Sequence, residues 1–162
     1  MDVLWVGLSS KTDKNNKLVT PLDSKTTSGK LISEIENDLV KVEFKKTNLV
    51  SFAPLDKNGK LRYPTNDECE MFFPQLQKTI SEVQPKLICL LGQKVTNFVM
   101  RKLFVRNCTY ILNEYKFYSY KKLFILPIYH PSYIMVYKKQ YKEDYVDAIK
   151  KIINEIMEHE IY

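Results

Sequence analysis

The run Leu123-Phe124-Ile125-Leu126-Pro127-Ile128-Tyr129, closed by His130-Pro131-Ser132-Tyr133, constrains the fold more than any other part of this chain. Its length and β-branched content suit a buried strand better than a helix. Proline lacks the N–H that would go unpaired in a first helical turn, so a helix opens directly after His130. A histidine at the exit of a central strand stands where open α/β sheets bind ligands, and a polar residue there also serves simply to cap the strand.

The remaining elements fit around that strand. Val3 to Val6 reads as a buried first strand stopped by Gly7, and Lys86 to Gly92 as the clearest buried strand. Val40, Val42 and Phe44 alternate with polar residues, as a strand with one solvated face does. Thr47 to Phe52 reads as a second, more buried extended piece. Ser28-Gly29-Lys30 opens a short helix; it is no phosphate-binding loop, because the earlier spaced glycine is missing. Thr65-Asn66-Asp67-Glu68 is a capping box, and Phe72, Phe73, Leu76, Ile80 and Val83 follow at helical spacing. Pro74 predicts a kink there or a late start. Gln93 to Phe104 and Lys139 to Glu158 complete the helices. Strands alternating with helices predict an α/β fold of three layers, α/β/α, with a mainly parallel central sheet of about four strands. Residues 1–162 read as a single domain.

Two polar stretches interrupt this pattern. Leu8 to Thr27 holds Asn15-Asn16 and Pro21, and Pro54 to Pro64 holds Asp56, Asn58 and Gly59. A long segment of this kind directly after a first strand is often functional.

Composition narrows the partners. No apolar run approaches the roughly 20 residues that span a bilayer, and Met1 to Val6 does not read as a signal peptide. The expectation is a cytoplasmic monomer with no membrane contact. Cys69, Cys89 and Cys108 are odd in number and far apart, which suits reduced core thiols better than disulfides or a zinc site. The net charge is +6, and its lysines cluster among tyrosines at Tyr115 to Lys122 and Tyr133 to Lys142. Such interleaving suits a single-stranded nucleic acid, with rings for bases and ammonium groups for phosphates, and equally a solvated rim of half-buried tyrosines.

These pieces, in order, resemble the uracil-DNA glycosylase superfamily, in motif style nearest to its bacterial and archaeal thermostable-type branches. Gly7 and the polar loop after it resemble the first catalytic motif. Thr47-Asn48-Leu49-Val50 resembles the strand whose asparagine reads uracil. Pro64 with Pro74-Gln75-Leu76 resembles the next proline and helix, and Pro85 to Gly92 the central strand ending in glycine. His130-Pro131-Ser132-Tyr133 resembles the second catalytic motif. The resemblance covers nearly the whole chain and implies a uracil-DNA glycosylase-like fold and a DNA partner, single-stranded or uracil-containing.

What it implies for chemistry follows from base extrusion, since a base inside a duplex is out of reach. Asn48 donates and accepts along the uracil edge, with Gly7, Leu8, Leu22 and Phe52 around the base. His130 donates to the oxygen where charge grows, an interaction worth roughly 3–4 kcal/mol for one donor in a well-studied protease. Ser9, Ser10, Ser132, Tyr133, Ile134, Met135, Tyr137, Lys138 and Lys139 fall on the DNA-binding side, with apolar candidates for a wedge and lysines for phosphates.

The first motif departs from the family pattern. Leu8 stands where the familiar branches carry a glutamate, asparagine or glutamine, although one branch with an apolar residue there is active. Asp13 is the nearest acid and the candidate catalytic partner of His130, although it, like Asp23, reads more readily as a loop or capping residue. Pro21-Leu22 replaces a proline–phenylalanine pair, with Phe52 or Trp5 as substitute rings that equally fit the core. No cysteine pair precedes the first strand and Cys69 is misplaced for a ligand, so no iron–sulfur cluster, metal or other cofactor is expected. The resemblance therefore implies either a monofunctional N-glycosyl hydrolase with weak or divergent uracil excision, or a pseudoenzyme that binds DNA. A third reading is a protein-recognition module, for example the partner of a DNA-mimic inhibitor.

Overall fold

A computed structural model describes residues 1–107, 110–112 and 114–158. Six strands form one sheet: β1 (Val3–Ser9), β2 (Phe44–Val50), β3 (Leu87–Leu91), β4 (Tyr110–Leu112), β5 (Tyr115–Tyr120) and β6 (Leu123–Ile128). Their spatial order is β2-β1-β3-β6-β5-β4. The first four run parallel, while β5 and β4 extend the sheet antiparallel beyond β6. The expected parallel strands are all present, and the antiparallel pair adds two to the expected number.

Helices cover both faces. α1 (Thr27–Asn37), α4 (Pro131–Tyr137) and α5 (Lys142–Glu158) pack on one, and α2 (Asn66–Val83) and α3 (Gln93–Lys102) on the other. The strand sequences dictate this, because successive side chains point to opposite faces. In β1, Val3 and Trp5 join the α1/α4/α5 core, while Leu4 and Val6 join the α2/α3 core. In β3, Leu87, Cys89 and Leu91 face the first core, and Ile88 and Leu90 the second. Both strands therefore need continuous apolar runs. Trp5 donates its indole N–H to Glu36 at 2.9 Å and stacks on Phe44, so its ring belongs to the core.

Several boundaries differ from the sequence reading. β1 continues through Gly7 to Ser9. Val40 lies outside any strand and is exposed, and the two extended pieces read at 40–44 and 47–52 are one strand, Phe44–Val50. Pro74 neither delays nor ends α2, which starts at Asn66 with the Thr65–Glu68 capping box formed. The last helix starts at Lys142, after a 3-10 turn at Lys139–Tyr141. The Tyr115–Lys122 cluster is largely the strand β5, with Phe117 buried between lysines that face outward. Cys69 and Cys89 are free and buried; Cys108 lies outside the described residues. Among the described residues, no helix is long and apolar enough to cross a membrane.

The chain leaves β1 for β2 on one side and returns to β3 on the other. This reversal of direction opens a crevice at the carboxyl ends of the parallel strands, the usual ligand position in open α/β sheets.

Candidate functional site

Those carboxyl ends converge on a cleft of about 780 Å3. β1 contributes Gly7, Leu8 and Ser9, β2 contributes Asn48, β3 ends in Leu91 and Gly92, and His130 follows β6. Asn48 and His130 thus reach one space from the two outer strands of the parallel sheet.

Each has a glycine beside it. Gly7 lies in register with Asn48, and a Cβ on Gly7 would collide with Asn48 Oδ1. Asn48 Nδ2 donates to Ser10 Oγ at 3.3 Å, and Ser10 is itself buried. Gly92 has φ +97°, in the left-handed region that favours glycine, and a Cβ there would lie 3.3 Å from His130 Cβ. The Gly92 N–H also donates to Ile128 O, which ties the end of β3 to the strand that delivers His130.

His130 is the N-cap of α4, with Pro131 in the first turn as its sequence predicts. The Ser132 amide donates to His130 Nδ1 at 3.2 Å, and Ser132 Oγ lies 2.7 Å from the same nitrogen. An amide N–H can only donate, so Nδ1 is an acceptor and the neutral ring carries its proton on Nε2. Burial, and next the positive charge of Lys11, lowers the His130 pKa to about 4. The ring at neutral pH is an uncharged donor with a defined tautomer. On the other side, Tyr145 Oη donates to Tyr129 O at 2.6 Å and anchors the backbone just before the histidine to α5.

The first-motif rim has a different chemistry. Leu8 and Ser9 line the cleft. Leu22 also lines it, with φ +50°, a conformation uncommon for a branched side chain. The turn holding Leu22 is packed too tightly to relax. A Cβ on Gly29 would collide with the carbonyls of Leu22 and Asp23, Thr26 Oγ1 donates to Asp23 O at 2.7 Å, and Lys46 Nζ donates to Leu22 O. Asp13 is outside the cleft lining. Its Oδ1 accepts from the Asn15 and Lys17 amides, closing the hairpin whose bridge pairs Thr12 with Leu18. Asp23 accepts likewise from the Lys25 amide. No described residue lining the cleft carries a carboxylate, while Lys11, Arg62 and Lys94 all line it.

These cations are not equivalent. Arg62 makes paired bonds to Glu68, 2.6 Å and 3.2 Å, and donates to the Leu55 and Tyr63 carbonyls. The guanidinium, with the Thr65 amide, holds the Glu68 carboxyl at about 2, so this pair pins the 54–64 loop to the start of α2. Lys94 lies 4.4 Å from the centroid of the Tyr63 ring. The N-cap of α3, Gly92, provides no side-chain hydrogen bond, and Gln93, Lys94 and Val95 line the cleft. An uncapped helix N-terminus adds positive potential there.

Other residues singled out in the sequence divide clearly. Ser132, Tyr133 and Tyr137 line the cleft; Ser10, Phe52, Ile134, Met135, Lys138 and Lys139 do not. Ile134 is buried in the α1/α4/α5 core, Met135 packs against that core, and Phe52 packs on Phe72. Lys11, Tyr63 and Lys94 were missed by sequence reasoning. Tyr63 left a signal, an aromatic residue standing alone in a polar loop before Pro64; Lys11 and Lys94 left none. The thiols of Cys69 and Cys89 are both raised by burial, and no described group of three or more His, Cys, Asp or Glu residues could hold a metal.

Comparison with known proteins agrees with this architecture. Residues 13–154 match the family model of the uracil DNA glycosylase superfamily. The chain is 27% identical over 112 residues to a type-4 uracil-DNA glycosylase of Saccharolobus solfataricus, covering 65% of this chain and 50% of that protein. It is 26% identical over 136 residues to the type-4 uracil-DNA glycosylase of Sulfurisphaera tokodaii, covering 77% and 58% respectively. The chain therefore aligns with about half the length of the first relative and 58% of the second. The crystal structure of SMUG2 from Pedobacter heparinus superposes with a TM-score of 0.65 at 18% identity, over 98% of this chain and 76% of that one. By the family match and the shared fold, this chain belongs to the uracil-DNA glycosylase superfamily.

Proposed function

We propose that the cleft receives a uracil base extruded from DNA, and that the protein excises it slowly. The observation that carries this is the neutral Nε2 donor of His130 in the same cleft as the Asn48 amide, each beside a glycine that leaves it room. Asn48 matches a base edge that presents both an acceptor and a donor. His130 donates to the uracil oxygen as the glycosidic bond lengthens and negative charge moves onto the base. A neutral donor suits this role, because it strengthens its hydrogen bond as charge develops without giving up a proton first. Lys11 and the open N-terminus of α3 favour the same anion. Tyr63 supplies the aromatic face that Leu22 lacks.

Slow excision follows from the other half of the bond. The sugar becomes cationic as uracil leaves, and a water must then attack it. No described carboxylate lines the cleft to steady that cation or orient the water. A positioned acid or base contributes typically 10²–10⁴-fold to a rate, which is the size of the expected deficit. The same observation favours a second reading, a DNA-binding module that holds uracil without releasing it.

Gel assays on uracil-containing single and double strands, followed by alkaline cleavage, separate the two. Cleavage under protein excess that disappears in both His130→Ala and Asn48→Ala supports excision. Salt-sensitive binding with no cleavage supports the module. Absence of DNA binding at low salt rejects both.

A further inference from the structure

Four tyrosines form one continuous row beside the cleft. Tyr137 and Tyr133 lie 5.5 Å apart between ring centroids, Tyr133 and Tyr129 stack at 5.9 Å, and Tyr129 meets Tyr115 edge-on at 6.4 Å. Helical spacing around α4 and the start of strand β5 together produce this row. Tyr133 and Tyr137 are four residues apart on α4 and so share a helix face, and Tyr129 precedes the helix at the same spacing. Tyr115 is half-buried against the α1/α4/α5 core and anchors one end of the row, while the other three rings are not core. Tyr137 is 69% exposed, Tyr129 60% and Tyr133 41%, whereas a ring serving the fold would be covered.

The row also joins two cavities. Tyr133 and Tyr137 line the cleft that holds His130, while Tyr133, Tyr129 and Tyr115 line a second cavity of about 740 Å3 on the far side of α4. Lys138 and Lys151 line that second cavity, and Glu114, Asp144 and Asp147 line it as well. Ammonium groups beside the rings attract phosphates, and the three carboxylates limit how far a polyanion can follow the row. An unpaired strand fits these demands better than a duplex does. Its bases have open π-faces, and its backbone is flexible enough to turn away from the acidic end.

We propose that Tyr129, Tyr133 and Tyr137, backed by Tyr115, form a stacking platform for unpaired bases next to the nucleotide held in the cleft, so that the protein prefers single-stranded DNA. The platform adjoins the cleft of the proposed function and deepens that reading, but a strand without uracil engages it equally. Tyr137, as the last ring of the row, continues the base stack on its open side. The neighbouring nucleotides then keep their stacking energy while one base leaves the strand. Lys138 takes a phosphate beside α4.

Fluorescence anisotropy with a labelled oligothymidylate, set against a blunt thymine–adenine duplex, tests this without any uracil present. Tyr129 and Tyr137 are exposed, so their substitution leaves the core intact, and thermal unfolding verifies it. The Tyr129→Leu/Tyr137→Leu double variant binds the single strand roughly tenfold or more weakly, with the duplex changed far less. Tyr129→Phe and Tyr137→Phe keep the rings and bind as the native chain does. Single-strand affinity retained in the double variant overturns the platform, as does equal loss on the duplex, equal loss in the phenylalanine variants, or no oligothymidylate binding by the native chain. Failure of uracil excision alone leaves the platform standing, because the probe contains no uracil.

Discussion

The two rims of the cleft carry different amounts of organisation. On the His130 rim, the ring is held by the Ser132 amide, its backbone by the Tyr145 hydroxyl through Tyr129, and its space by Gly92. On the first-motif rim, Leu8 and Leu22 present apolar surface, and the nearest acid, Asp13, is engaged in its own hairpin. On the proposed function, the first rim serves departure of the base as an anion, and no described carboxylate lines the cleft to steady the sugar it leaves. The two rims of one sheet therefore differ in chemistry: one presents a fixed polar donor and the other apolar surface.

Removing the equipped rim gives the largest effect. His130→Ala lowers the single-turnover excision rate by roughly 10²–10³-fold, the range for loss of one preorganised donor. The same histidine gives stability a pH dependence. Its folded pKa, about 4, lies below its ordinary 6.5, so between those values the unfolded chain binds more protons. Stability is full above pH 6.5 and falls as the pH drops toward 4, by roughly 3 kcal/mol in all. Urea unfolding across that window shows a slope in the native chain that His130→Gln removes.

Gly7→Ala affects the uracil-reading side alone. Its methyl displaces Asn48, and the rate falls about a hundredfold while circular dichroism stays native-like. Leu8→Glu acts in the opposite sense by supplying the bare rim with a carboxylate, and raises the rate by roughly tenfold. The smallest effect lies away from the cleft. Thr65→Ala removes the hydroxyl that accepts from the Glu68 amide and costs about 1 kcal/mol by chemical denaturation.

The readable parts of this chain were those governed by local chemistry. Proline after His130 announced the helix start, and the Thr65–Glu68 spacing announced a cap. Continuous apolar runs marked β1, β3 and β6 because strands covered on both faces leave no room for alternation. β5 was missed because its tyrosines, with Lys116 and the Lys121-Lys122 turn, resemble a binding cluster, whereas in the fold Phe117 is buried and Tyr115, Tyr118 and Tyr120 pack half-buried against the two cores.

The cleft's loop residues were hidden for a different reason. Asp13-Lys14-Asn15-Asn16-Lys17 and Asp56-Lys57-Asn58-Gly59-Lys60 form matching turns, each aspartate accepting from amides two and four residues on. Those turns decide where Lys11 and Tyr63 emerge, which depends on tertiary placement and not on local pattern. The same turns explain why proximity in sequence favoured Asp13 as an acid. In the fold its carboxylate has amide partners of its own.

The asymmetry of the cleft is tested most directly by one single-turnover measurement on a uracil-containing single strand, made in parallel on the native chain, His130→Ala and Leu8→Glu. The account predicts slow excision by the native chain, none detectable in His130→Ala, and a faster rate in Leu8→Glu. Excision that is unaffected by loss of His130, or unchanged by the new carboxylate, would contradict it.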